Sequence, residues 1–248
     1  MGTVVSIDVR TAGADPELAG AIAEVVTWLH WVDATFSPYK PDSDIARLDR
    51  GEVTIGDCHP RVGEVPDLCE TLSASTDGYF DPRAGAHLDP SGLVKGWSIE
   101  HASAWLAEAG WPDHAIDGGG DVRLRGHADR PVSRPWRVGL RHPLQLDGFS
   151  AVVGLDEGAV ATSGTYERGF HVIDPHRRRP VVSVAAVTVI GPELTITDAY
   201  ATTALAMGLD APAWLATLAD HESFMIDANG DGWATPGFAR YRLDSPGR

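Results

Sequence analysis

The sequence has few features of disulfide-rich, membrane-spanning or nucleic-acid-binding proteins. Its two cysteines, Cys58 and Cys69, form neither a disulfide framework nor a CxxC pair, so we interpret them as unreactive thiols in a reducing compartment. No apolar run approaches the roughly 18–20 residues that span a bilayer, and we expect no membrane insertion. Lys and Arg number 20 against 35 Asp and Glu, a net charge of -15, which argues against a nucleic-acid or anionic-membrane partner.

The beginning of the chain reads as a strand. Met1–Asp8 has no basic segment, no apolar signal core and no lipobox cysteine, which predicts a cytoplasmic protein. An exported form whose leader has been removed would begin in the same way. Because no repeat or low-complexity linker divides the chain, we predict a single domain over residues 1–248.

Local patterns predict helices and strands in mixed order. Asp15-Pro16 predicts a helix start, and apolar residues follow at helical spacing to Val32. Further helices are predicted over 45–48, 66–75, 94–109, 197–207 and 213–218. Strands are predicted over 3–9, 115–116, 121–124, 136–140, 151–155, 160–161 and 182–190, with a closing hairpin of 224–226 and 239–241. This order indicates an α+β fold with mixed, largely antiparallel sheets flanked by helices.

The segment Thr197–Ala204 offers two oxygen ligands on one helical face. Asp198 and Thr202 lie at i and i+4, so a carboxylate and a hydroxyl project together. Such a pair can ligate Mg²⁺, which prefers hard oxygen donors and keeps water or phosphate oxygens at its other positions. The segment by itself favours a plainer interpretation, in which Asp198 caps the helix and Thr202 packs among small residues.

A second segment combines small polar residues with a histidine. Ala161–Tyr166 predicts a turn between strands whose backbone N–H groups can approach a ligand. His171 follows, and it could be either a general base or a core histidine bonded to a carbonyl.

Two glycine-bearing segments could also face a ligand. Asp117–Asp121 encloses three glycines, which predicts a sharp turn or a flat backbone surface, but it matches no phosphate-binding fingerprint. Asp89–Trp97 predicts a turn into a helix whose N-terminus could face an anion, with Lys95 either answering that anion or lying on the surface. In contrast, Asp227–Gly232 copies half of an EF-hand loop but lacks the bidentate Glu, and we predict a hairpin turn there.

Taken together and in chain order, these segments resemble the flavin transferase (ApbE) family. Met1–Thr3 resembles its MGT, Phe36–Leu48 its S-x-Y-x-P-x-S-E segment, and Gly78–Pro82 its G-A-F-D-P. Asp89–Trp97 resembles D-L-G-G-I-A-K-G-Y and Asp117–Asp121 resembles N-x-G-G-D. Trp136–Pro143, Ala161–Gly164, His171–Pro175 and Asp198–Ala204 continue the likeness, so that it covers essentially the whole chain.

The resemblance implies an α+β fold with a flavin cleft and an FAD:protein FMN transferase activity. Such enzymes attach the FMN half of FAD to a Thr or Ser of an acceptor protein that carries an FMN-binding domain, and they release AMP. Where the motifs match, the resemblance implies that Asp198, Thr202 and the backbone carbonyls of Gly92 and Ala201 hold Mg²⁺, which reverses the plainer interpretation of Asp198 and Thr202 given above. It also implies that His171 is the base. The implied FAD contacts are Met1, Tyr39, Tyr79, Phe80, Asp81, Asp89, Lys95 and Ile173.

The chain also departs from the family pattern. Pro90-Ser91 replaces the usual Leu-Gly, and the segment from Pro82 to Asp89 is very short, which predicts a reduced cleft wall. Two alternatives stay open at this point. An FAD pyrophosphatase would use water in place of the acceptor hydroxyl, and a non-catalytic flavin-binding protein would keep the cleft without turnover.

Overall fold

The computed structural model describes residues 2–11, 13, 15–145, 147–165 and 172–243. The helices within these residues are α1 (Pro16–Phe36), α2 (Asp44–Asp49), α3 (Pro60–Ser75), α4 (Ser91–Glu108), α5 (Leu194–Met207) and α6 (Ala211–Leu215). The strands are β1 (Val5–Val9), β2 (His114–Gly118), β3 (Asp121–Arg125), β4 (Trp136–Arg141), β5 (Phe149–Leu155), β6 (Gly158–Gly164), β7 (Ile173–Asp174), β8 (Arg179–Pro180), β9 (Val184–Gly191), β10 (Glu222–Asp227), β11 (Gly232–Ala234) and β12 (Arg242–Leu243).

The strands form antiparallel sheets, which confirms the predicted α+β class. The large sheet has seven strands in the order β1-β2-β3-β6-β9-β10-β11, and a smaller sheet has the order β12-β5-β4. β7 pairs with β8 in a separate two-stranded ribbon. All the strand pairs in the described residues are antiparallel.

The large sheet separates two hydrophobic cores. On one face, Ala159 and Ala161 of β6 pack with α1, α3, α4 and α5. On the other face, Val160 packs with the β4–β5 sheet. Because successive strand residues point to opposite faces, β6 is buried on both sides. This arrangement places α4 and α5 side by side over the centre of the large sheet.

Local capping explains where several elements begin. The Asp15 side chain accepts the Glu17 N–H at 2.8 Å, as its position before Pro16 predicts. Ser43 caps α2 by accepting the Ala46 N–H at 3.1 Å. The hairpin between β2 and β3 turns at Gly119 and Gly120, whose φ angles of 68° and 93° fit a tight turn that glycine adopts without strain.

Four predicted details are wrong. Helix α3 begins at Pro60, not at residue 66, because the His59 side chain caps it and Pro66 is tolerated inside the helix. β10 pairs with β11, whereas residues 236–240 form a 3-10 helix and not the second strand of a hairpin. A turn was predicted over 161–166, but residues 161–164 are the end of β6, and Tyr166 lies outside the described residues. Helix α5 begins at Leu194 and is capped by Glu193, so Asp198 does not cap it.

The turn at 227–231 joins β10 to β11, as expected for the half EF-hand sequence. The Asp227 Oδ1 accepts the backbone N–H groups of Asn229 and Asp231. No helix in the described part of the chain combines the length and hydropathy that a bilayer crossing requires.

Candidate functional site

A cleft of about 650 Å³ opens between the helical layer and the end of the large sheet. Its walls come from loop 37–40, loop 79–85, the first turns of α4, one face of α5, the β2–β3 turn and the end of β6. The volume lies within the range typical of cofactor sites. Most of these walls are segments that the sequence singled out as ligand-facing.

Helix α5 presents Asp198 and Thr202 to the cleft, one above the other. The Asp198 Oδ2 accepts the Gly96 N–H at 2.9 Å, and the Thr202 Oγ1 lies 3.1 Å from the Ser163 Oγ. Both side chains are therefore held by neighbouring elements and not by α5 alone. Asp198 is 2% exposed, and it lies at the bottom of the cleft. We call the group of Asp198, Thr202, Lys95 and Asp121 the floor of the cleft.

A second buried carboxylate, Asp121, lies beside this pair. Asp121 is fully buried at the start of β3; its Oδ1 accepts the Thr162 N–H at 2.9 Å, and its Oδ2 forms an ion pair with the Lys95 ammonium. Burial raises the pKa of Asp198, and the nearby Asp121 raises it further, while the Lys95 charge opposes the rise. The floor thus concentrates two carboxyl groups against one ammonium.

Close packing of α4 on α5 depends on two glycines. A methyl group at Gly96 would lie 2.5 Å from the Leu194 carbonyl oxygen and 2.8 Å from the Asp198 Cβ. A methyl group at Gly92 would lie 2.9 Å from the Thr202 Cγ2. All three distances are too short for real contacts, so glycine is required at both positions for α4 to approach the oxygen pair. The Gly92 backbone consequently lies directly against Thr202.

The rim of the cleft carries aromatic and acidic side chains. Tyr39 is 84% exposed at the mouth. The Tyr79 ring stacks on His176 at a centroid separation of 4.1 Å and an angle of 16°. Asp89 accepts the Ser91 N–H at 3.0 Å, so it supports the start of α4. Rigid aromatic faces of this kind suit a planar ring system.

The structure brings together most of the residues that the sequence predicts for the site. The cleft is lined by Tyr39, Tyr79, Phe80, Asp81, Asp89, Gly92, Lys95, Ile173, Asp198 and Thr202. Met1 and His171 lie outside the described residues, although their neighbours Gly2 and Val172 line the cleft. Ala201 is fully buried and does not line it, because its carbonyl lies within the hydrogen-bonded length of α5.

Sequence reasoning did not select Asp121, although its segment, Asp117–Asp121, was one of those that could face a ligand. The likeness of Asp117–Asp121 to N-x-G-G-D pointed to its segment, but the contacts that hold Asp121 come from Thr162 and Lys95, which that segment does not encode. Among the described residues, no three His, Cys, Asp or Glu side chains converge as a metal-binding group. The Mg²⁺ ligands implied by the resemblance are one carboxylate, one hydroxyl and backbone carbonyls, and this set does not contain three such side chains.

Comparisons with known protein sequences match one family. The chain matches the model of the ApbE family over residues 1–88 and 83–225. It is 30% identical over 241 residues to an FAD:protein FMN transferase of Rhodobacter capsulatus, covering 93% of this chain and 42% of that protein. It is 30% identical over 158 residues to one of Vibrio cholerae, covering 59% of this chain and 46% of the relative. The chain therefore spans a little under half the length of these curated relatives.

Solved structures share the fold. The flavin transferase ApbE of Vibrio cholerae superposes with a TM-score of 0.82 at 21% identity, covering 97% of this chain and 96% of that one. An ApbE protein of Thermotoga maritima superposes with a TM-score of 0.83 at 20% identity, covering 98% and 97%. At these identities the likeness establishes the fold and the arrangement of its elements.

Proposed function

The chain belongs to the ApbE family, and from that premise we propose that it is an Mg²⁺-dependent FAD:protein FMN transferase. In this proposal it binds FAD, transfers the FMN half to a Thr or Ser hydroxyl of an acceptor protein with an FMN-binding domain, and releases AMP. The observation that carries the proposal is the convergence of Asp198, Thr202 and Gly92 in one cleft with the predicted FAD contacts.

The shape and chemistry of the cleft fit a dinucleotide. Tyr39 and Tyr79 offer aromatic faces near the mouth, where an isoalloxazine or adenine ring could stack. The N-terminus of α4, an 18-residue helix, begins at Ser91 on the cleft wall, and the positive end of its helix dipole favours a pyrophosphate. Lys95 adds a positive charge on the same helix.

The residues of the floor also fit a magnesium ion. Asp198 supplies a carboxylate and Thr202 a hydroxyl on the same face of α5, and a methyl at Gly92 would fill the space beside Thr202. Hard oxygens in a partly buried acidic setting are the donors that Mg²⁺ prefers. Asp198, Thr202 and the Gly92 carbonyl would hold the ion, with Ala201 the weakest of the predicted ligands because it does not line the cleft. When bound, the ion would supply charge neutralisation to the pyrophosphate.

The reaction itself requires positioning more than covalent help from the protein. The acceptor hydroxyl oxygen forms a new bond to the phosphorus of the FMN half, and the bond from that phosphorus to the oxygen bridging to AMP breaks. The hydroxyl proton passes to His171, the candidate base, and AMP leaves with the bridging oxygen. General base catalysis of this kind is worth about 10²–10⁴-fold in rate.

Co-expression with a candidate FMN-binding domain tests the proposal. Intact mass of the acceptor should show one added FMN phosphodiester with the unchanged chain and with His30→Ala, a control in the exposed part of α1. His171→Ala should bind FAD but reduce attachment about 10²–10⁴-fold, whereas Asp198→Ala should abolish magnesium-dependent attachment. Normal attachment by His171→Ala would refute its role as the base.

The two alternatives predict different products when the chain is incubated with FAD and Mg²⁺. A pyrophosphatase would release AMP and free FMN without an acceptor, and a flavin-binding protein would bind FAD without forming either product. The intact floor of Asp198, Thr202, Lys95 and Asp121 supports turnover, because binding alone does not require two buried carboxyl groups.

A further inference from the structure

The short loop from Pro82 to Asp89 forms one wall of the cleft. Pro82, Ala84, Gly85 and Asp89 line it, and the Asp89 N–H donates to the Pro82 carbonyl at 2.8 Å, which closes the loop at its base. Its tip is mostly exposed; only Leu88 packs partly against the main core. Burial within the loop therefore contributes little to holding it in place.

A single carboxylate outside the loop receives three groups from it. Asp49, the last residue of α2, accepts the Arg83 Nη1–H at 3.1 Å and the Leu88 N–H at 3.0 Å, and its other oxygen lies 3.1 Å from the His87 Nδ1. These partners are 34 to 39 residues away in sequence, so the contacts join the end of α2 to both ends of the loop.

The environment of Asp49 suits an anchor. Its side chain is 15% exposed, whereas those of Arg83 and His87 are 61% and 80% exposed. The Leu88 N–H, with the contacts to His87 and Arg83, lowers the pKa of Asp49, so the carboxylate is ionised at neutral pH. Hydrogen bonds to an ionised acceptor are stronger than those between neutral groups.

We propose that Asp49 is a positioning residue that fixes loop 82–89 as a wall of the FAD cleft. The inference rests on the proposed function for the identity of the ligand, but not for the anchoring itself. Asp49 does not line the cleft, so it acts through the loop and contacts neither FAD nor the reacting atoms. Loss of the anchor leaves the loop-closed conformation only partly populated, which weakens apparent affinity by that fraction.

Limited trypsin digestion and FAD titration of Asp49→Asn and Asp49→Ala test the two halves separately. Arg83 is a trypsin site within the loop, and cleavage after it requires the loop to detach from α2. We expect cleavage at this bond about five- to thirtyfold faster in Asp49→Ala, with a smaller increase in Asp49→Asn, whose amide oxygen can still accept the Leu88 N–H. The FAD dissociation constant should rise in the same order but by a smaller factor, because affinity falls with the closed fraction whereas cleavage follows the open fraction. The change should fall on the KM for FAD and not on kcat.

Asp57→Asn is the matched control, because Asp57 accepts the backbone N–H and hydroxyl of Thr54 in a segment that does not line the cleft. Circular dichroism melting of each variant identifies any general loss of folding. Unchanged cleavage after Arg83 in a folded Asp49→Ala would refute the anchor, and faster cleavage with unchanged FAD affinity would refute its role in the cleft wall. Failure of the unchanged chain to bind FAD would instead refute the proposed function, while cleavage after Arg83 would still decide whether Asp49 anchors the loop.

Discussion

Replacing Gly96 by alanine tests the contact that brings α4 against the oxygen pair of α5. The added methyl would lie 2.5 Å from the Leu194 carbonyl oxygen and 2.8 Å from the Asp198 Cβ. Neither atom is the far end of a flexible side chain, so the helices must separate by several tenths of an ångström. The Gly96 N–H also donates to the Asp198 Oδ2, and the movement should therefore displace the proposed magnesium ligand.

The size of the effect follows from two opposing contributions. Forcing an extra methyl into a packed core costs about 1–3 kcal/mol. Alanine in place of glycine inside a helix returns about 0.8–1.0 kcal/mol. Together they leave a net loss of about 0–2.2 kcal/mol, and because the closest contact is with backbone we expect the upper half of that range, about 1–2 kcal/mol. For a chain of this size that corresponds to a lowering of Tm by about 2–8 °C.

Gly20→Ala provides a control of opposite sign. Gly20 lies in α1, is exposed, and has no atom within 4 Å of an added methyl. This substitution should stabilise the protein by about 0.5–1 kcal/mol through helix propensity alone. Thermal and urea unfolding of both variants measures the difference. If Gly96→Ala is as stable as Gly20→Ala, the close approach of α4 to α5 is not a constraint on the fold and the reasoning is refuted.

Two further experiments test the proposed magnesium ligand Thr202 and the burial of Cys69 in the helical layer. Thr202→Val should raise the Mg²⁺ concentration needed for half-maximal activity about tenfold or more, whereas Thr202→Ser should leave it near that of the unchanged chain, because the proposed ligand is the hydroxyl and not the methyl. Equal effects of the two substitutions would show that packing against Gly92 matters instead. At pH 9, iodoacetamide should modify Cys58 much faster than Cys69 in the folded protein, because Cys58 is partly exposed and Cys69 is buried; such a result would correct the interpretation of Cys58 as unreactive. Burial raises the pKa of the Cys69 thiol to about 12, leaving on the order of one part in a thousand as thiolate, and peptide mass spectrometry would read the two sites separately.

Local sequence rules predicted the elements whose signals are contained in a few adjacent residues. Asp15-Pro16 marks the start of α1 because a capping carboxylate and a proline act within one turn. Alternation over residues 3–9 predicted β1 for the same reason. The start of α3 was missed because Pro66 is usually a helix boundary, whereas here the capping residue is His59.

Features that depend on distant partners could not be predicted in this way. β11 is three residues long and is defined only by pairing with β10. Asp121 joins the site because β3, β6 and α4 meet, which no local pattern encodes. The anchoring of loop 82–89 by Asp49 likewise joins segments more than thirty residues apart.

The candidate site itself came from a whole-chain resemblance more than from its residues. By spacing alone, Asp198 and Thr202 favoured a cap and a packing seam, but Glu193 caps α5 and both side chains face the cleft. The role of His171 and the extent of the single domain remain predictions.

The most direct test of the central claim compares AMP release with flavin attachment in one reaction. The purified chain is incubated with FAD, Mg²⁺ and a candidate FMN-binding domain, and AMP, free FMN and acceptor-bound FMN are quantified together. The account predicts one AMP for each FMN attached to the acceptor, and little AMP when the acceptor is omitted. Rapid release of AMP with free FMN, independent of the acceptor, would contradict it and identify a hydrolase.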